Sequence, residues 1–103
     1  MTQTIEINGT EYPFAFTYRC MRQVAKTKGL DEIEQSEKAF LLAINNGYKR
    51  EGLDQKMSPD ELIDILDQDP NALRILTEAL SEDMGKLTGE EDGEGNSTTS
   101  ATQ

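Results

Sequence analysis

The sequence predicts an α+β fold: an N-terminal β-hairpin packed on a small bundle of about four helices, followed by a flexible acidic tail. Three observations predict it. Asn8-Gly9 is flanked by alternating apolar residues, the pattern of a two-residue type I′ hairpin whose central residues both need positive φ. Downstream, apolar residues recur at three- and four-residue spacing in separate stretches, each opened by a capping residue. After residue 84 that periodicity stops, and Gly, Ser, Thr and acids take over. One domain over residues 1–84 and a tail over residues 85–103 is the division this implies.

The hairpin organises the chain. Ile5 and Ile7 alternate with Thr4 and Glu6, and Tyr12, Phe14 and Phe16 alternate with Glu11, Pro13 and Ala15, so each arm has one apolar and one more polar face. A lone two-stranded hairpin is marginal in water, so the apolar face needs the helices that follow. Pro13 has no N–H and belongs where the strand faces away from its partner. Thr17 caps a first helix with Met21, Val24 and Ala25 on one stripe. Lys26 and Lys28 suit its last turn, Gly29 the left-handed position after it, and Leu30 a fold back onto it.

Residues 31–35 read as a short helical turn with Ile33 inward, and Ser36 as the N-cap of a second helix carrying Ala39, Phe40, Ala43 and Ile44. That helix ends at Asn45-Asn46-Gly47, or runs on to Arg50 because Tyr48 keeps the spacing. Ser58-Pro59-Asp60-Glu61 is a capping box with Pro at the first helical position, opening a helix with Leu62, Ile65 and Leu66 inward. Asp69-Pro70 repeats the signal for a last helix with Leu73, Leu76, Ala79 or Leu80, and Met84 on its stripe. With three Phe, three Tyr and no Trp, Leu, Ile, Met and Ala must fill most of the core.

Charge is unevenly placed. The first thirty residues hold two acids and four bases; the rest hold eighteen acids and six bases, which together give the net −10. Such a chain repels phosphates and is not expected to bind nucleic acid. The four bases are Arg19, Arg22, Lys26 and Lys28, a cationic patch that either solvates a helix face or meets an acidic patch on the same or another chain. Cys20 is the sole cysteine, so no intramolecular disulfide forms and a reducing cytoplasm is the expected home. No signal peptide or membrane span is expected.

Chemistry-bearing motifs are scarce. There is no His, hence neither the commonest general base nor the commonest transition-metal ligand. Cys20 is either a thiolate activated at a helix N-terminus beside Arg19 or a small packed residue, and lacking a His partner it is expected to pack. Asp60, Asp64, Asp67 and Asp69 do not match a calcium loop, because Pro70 and the helical pattern break it; they read as caps and a solvated face. Glu90, Glu91, Asp92 and Glu94 serve either solubility or docking to a basic partner. No cofactor, metal or catalytic site is expected.

The order of motifs carries a resemblance. A hairpin of the form I-E-I-N-G-x-E-Y-P-F-x-F over residues 5–16 is followed by T-Y-R-x-M-R over 17–22. G-Y-K-R-E-G follows over 47–52, and S-P-D-E-L over 58–62. On a small acidic chain without His, that order resembles the tail assembly chaperones of siphovirus-type bacteriophages and prophages. The resemblance implies a non-enzymatic protein in the bacterial host's cytoplasm that binds the long, helix-rich tape measure protein, keeps it soluble, helps bring tail tube subunits to it and leaves before the virion is finished. It supplies no catalytic motif. A client groove would be apolar, with Met21, Met57 and Met84 as candidates. The expected partner surface is the hairpin with the first helix, through Tyr12, Tyr18, Arg19, Met21 and Arg22, while Phe14 and Phe16 go to the core. Self-association stays open, as do an acidic DNA mimic or other protein–protein adaptor and, least supported, a small enzyme.

Overall fold

The computed structural model describes residues 2–89. Strands β1 (Gln3–Ile7) and β2 (Thr10–Phe14) form an antiparallel hairpin, followed by helices α1 (Tyr18–Lys26), α2 (Glu32–Arg50), α3 (Pro59–Gln68) and α4 (Ala72–Leu87). The fold is α+β, a hairpin on four helices. The expectation for residues 90–103 lies outside the described residues, and α4 runs three residues past Met84, where the apolar spacing ends.

Asn8 and Gly9 have φ of 53° and 82°, the turn their sequence calls for. The register pairs Ile7 with Thr10, Ile5 with Tyr12 and Gln3 with Phe14, which places these six on the inner face. Thr4, Glu6, Glu11 and Pro13 lie on the other. Counting from the turn, Pro13 opposite Thr4 is a pair whose backbone groups point outward, so its missing N–H breaks no ladder bond. The alternation stops at Phe14: Ala15, expected on the polar side, is buried together with Phe16. The reason is a change of partner. Ala15 N–H donates to the Ala43 carbonyl at 3.0 Å, and Asn46 Nδ2 donates to the Ala15 carbonyl at 2.9 Å, so α2 takes over where the strand ends.

α2 packs on β2 and α4 on β1; α1 packs beside α2, and α3 touches α2 and α4. Phe14, Phe40, Ile7, Ile44, Leu62 and Leu76 are the largest of the fully buried side chains. α2 is longer at both ends than the first stop signals suggest. Asp31, not Ser36, is its N-cap, with Glu34 completing a capping box, and Ile33 is 71% exposed rather than inward. At the other end Asn45-Asn46-Gly47 stays helical, and the helix runs on to Arg50, the alternative that the spacing of Tyr48 offers. Gly47 is required there by close approach: a Cβ on it would lie 2.7 Å from the Pro13 carbonyl carbon and 2.8 Å from the Phe14 nitrogen. The helix stops instead at Gly52, φ 76°, where Leu53 N–H reaches the Tyr48 carbonyl at 2.9 Å in a Schellman closure.

Ser58 caps α3 as its sequence indicates, with Glu61 returning the bond and Pro59 at the first position. α4 starts two residues later than Asp69-Pro70 suggests. Asp69 Oδ1 accepts from Asn71 N–H at 2.9 Å, and Asn71 takes the cap position without a side-chain bond. The buried stripe of α4 is Ala72, Leu76, Ala79 and Asp83: Leu76 and Ala79 lie inward as expected, while at the two ends Ala72 and Asp83 take the places expected of Leu73 and Met84, which are exposed at 55% and 38%. At α1, Thr17 is the N-cap, Ala25 is exposed, and Gly29 adopts its left-handed φ of 80° one residue later than expected, after Thr27 closes the helix.

Candidate functional site

Thr17 accepts from Cys20 N–H at 3.4 Å and so starts α1 immediately after buried Phe16. From that start the phase of the helix is fixed. Cys20 turns inward, 4% exposed, with its Sγ 3.8 Å from the Ala15 carbonyl; it is a packed thiol. Met21 and Val24 are half-buried against the core. Tyr18, Arg19, Arg22 and Lys26 are left on the outer side, and Tyr18 is 62% exposed. At 100° per residue Tyr18, Arg22 and Lys26 form one row with Arg19 beside it. The first turn of α1 has no acid, and none of these cations makes an ion pair among the described residues, where the two ion pairs, Arg74–Glu78 and Lys86–Glu82, are both on α4.

The five expected partner residues therefore divide. Tyr18, Arg19 and Arg22 share the open face of α1. Met21 lies on the helix's inner flank. Tyr12 is half-buried on the inner hairpin face opposite Ile5, close enough to Tyr48 to act on its ionisation. Burial pushes the Tyr48 phenol's pKa up, and Tyr12 and then Glu61 add to that rise by disfavouring a phenolate beside them. The fold also separates the charges of the first thirty residues. Glu6 and Glu11 face each other on the outer side of the hairpin, whereas all four bases belong to α1 and the turn after it. Of the methionines considered for a client groove, Met57 is core, Met21 half-buried and Met84 exposed.

Beside the start of α1 lies a polar fastening. Asp83 of α4 is 5% exposed; its Oδ2 accepts from Phe16 N–H at 2.8 Å and its Oδ1 from Gln3 Nε2 at 2.9 Å. Gln3 Nε2 also donates to the Ala79 carbonyl at 3.0 Å. One carboxylate thus ties β1, the strand-to-helix junction and α4 together. Two sequence signals point to it: Gln3 alternates with Ile5 and Ile7, and position 83 follows Ala72, Leu76 and Ala79 at helical spacing. Asn45 makes a second fastening, donating to the Met57 carbonyl at 3.1 Å and accepting from Met57 N–H at 2.7 Å, which pins the loop before α3 to α2.

An open cleft of about 520 Å³ lies between the end of α2 and that loop, lined by Asn45, Lys49, Leu53, Asp54 and Lys56 among others. Among the described residues no three Cys, Asp or Glu side chains cluster as metal ligands, and no helix is long and apolar enough to cross a membrane. Comparison with family models, curated proteins and solved structures finds no match to this chain.

Proposed function

We propose that this chain is a non-enzymatic tail assembly chaperone of a siphovirus-type phage or prophage, acting in the host cytoplasm on the tape measure protein. The observation that carries this reading is the order of motifs in one small acidic chain: the IEINGTEYPFAF hairpin, TYRCMR, GYKREG and SPDEL. The open face of α1 supports it. Tyr18 offers a flat amphipathic contact, and Arg19 and Arg22 offer charge-assisted bonds to acids along a client helix. An excess of negative charge elsewhere keeps a client complex dispersed. Delivery of tail tube subunits, and departure before the tail is complete, belong to the same proposal.

The test is co-expression of the full chain with the tape measure protein of the same gene cluster, scored by sizing chromatography. A soluble complex supports the reading; an insoluble tape measure, with no complex, counts against it. A second reading has one observation of its own: Asp60, Asp64 and Asp67 are exposed along α3 at helical spacing, a fixed row of acids such as a DNA mimic needs. Competition with DNA for a repressor or nuclease would favour that reading.

A further inference from the structure

The outer faces of α1 and α3 carry opposite charges at matching intervals, and we infer that the first docks on the second between copies of this chain, head to tail. On α1, Arg19, Arg22 and Lys26 are exposed and stand three and then four residues apart. On α3, Asp60, Asp64 and Asp67 are exposed and stand four and then three apart. At 100° per residue each set falls within about 60° around its helix, so each is a single row. With the two helices antiparallel, Arg19 faces Asp67, Arg22 faces Asp64 and Lys26 faces Asp60, because the intervals of about 4.5 and 6 Å then coincide. With the helices parallel, the middle pair falls out of step by one residue.

Among the described residues neither row makes an ion pair within its own molecule. The occupant is a second copy because the charge is split within the chain itself. The first thirty residues hold two acids and four bases, and the rest hold eighteen acids and six bases. A head-to-tail arrangement brings the basic part of one copy against the acidic part of the next, whereas α1 on α1 or α3 on α3 sets like charges together. Tyr18 and Ile63, 62% and 45% exposed, stand beside the two rows and give the contact an apolar part. Because the two faces differ, the contact is heterologous, and each copy keeps a face open for the next. Exposed charges make it weak and salt-sensitive. An acidic client helix would compete for the α1 face; that consequence rests on the functional reading above. The contact itself does not, and it is measured on the chain alone.

The experiment is sedimentation velocity of the full chain at low salt, at concentrations up to about 1 mM, where weak interfaces are populated. The sedimentation coefficient should rise with concentration, and it should fall back to the monomer value at about 1 M salt, where the screening length is about 3 Å. R19E/R22E and D64K/D67K, each with a denaturation midpoint near the parent's, should stay monomeric alone and associate when mixed. The fourfold variant R19E/R22E/D64K/D67K, whose reversed rows match again, should regain self-association. A parent that stays monomeric throughout, association kept by either row variant alone, or a folded fourfold variant that stays monomeric would overturn the inference.

Discussion

α1 and α2 pack side by side and use their polar residues in opposite ways. In α2, Asn45 clamps Met57, Asn46 reaches the Ala15 carbonyl, Gly47 admits the β2 backbone and Ala43 lends it a carbonyl. Its two asparagines are taken up by the fold. In α1, Arg19, Arg22 and Lys26 meet no partner among the described residues, and Tyr18 lies largely in solvent. The difference separates residues that hold the domain together from residues available to something else. A substitution on α2's crossing should damage the fold; one on the outer side of α1 should leave the fold intact and show only in binding.

The largest effect is expected at Gly47. A Cβ there already meets the Pro13 and Phe14 backbone at under 3 Å, and backbone cannot rotate away as a side chain can. Gly47→Val should cost about 3 kcal/mol, because overpacking outweighs the roughly 1 kcal/mol that replacing a mid-helix glycine returns. Chemical denaturation of parent and variant measures it, and an unchanged midpoint would show that β2 does not cross there.

Asp83→Ala comes next, at about 2 kcal/mol, since it leaves the Phe16 N–H and Gln3 Nε2 without their buried acceptor. Amide hydrogen exchange sharpens the test: Phe16 should lose protection before α3 does. Asp83→Asn keeps the shape, yet its amide can present an acceptor to only one of the two donors, so it should fall between parent and Ala. Ser58→Ala should cost about 1 kcal/mol through loss of the cap at Glu61 N–H. That variant is a calibration point for a purely local contact, and its loss should appear in α3 alone.

What was legible in the sequence follows the same division between local and tertiary causes. The Asn8-Gly9 turn, the Thr17 cap and the Ser58 capping box are each decided within about four residues, so the sequence states them outright. Asp31 and Glu34 carry a capping-box pattern too, but Ser36 offers a competing cap five residues later. Gly47 reads as a helix stop because nothing local reveals that another backbone crosses it. The phase of α4 misleads for a related reason. Leu73 outranks Ala72 in size, yet Ala72 and Ala79 are the buried pair, because small residues let α4 approach its neighbours. Asp83 then takes an inward position that hydrophobic spacing assigns to Met84. On α1 the exposed placement of Tyr18, Arg19 and Arg22 was readable from Met21 and Val24 alone. Tyr12 was not, since alternation gives its face of the hairpin but not how far the rest of the core covers it.

The smallest expected effect on stability belongs to Tyr18→Ala with Arg22→Glu, within about 0.5 kcal/mol of the parent, as for surface positions without internal partners. That pair also gives the most direct measurement of the central claim, that the outer face of α1 is a partner surface independent of the fold. Parent and double variant are each co-expressed with the tape measure protein, and soluble complex is quantified beside a denaturation curve of the chain alone. The account predicts an unchanged denaturation midpoint and loss of most of the complex. Full complex formation by a normally folded double variant would contradict it.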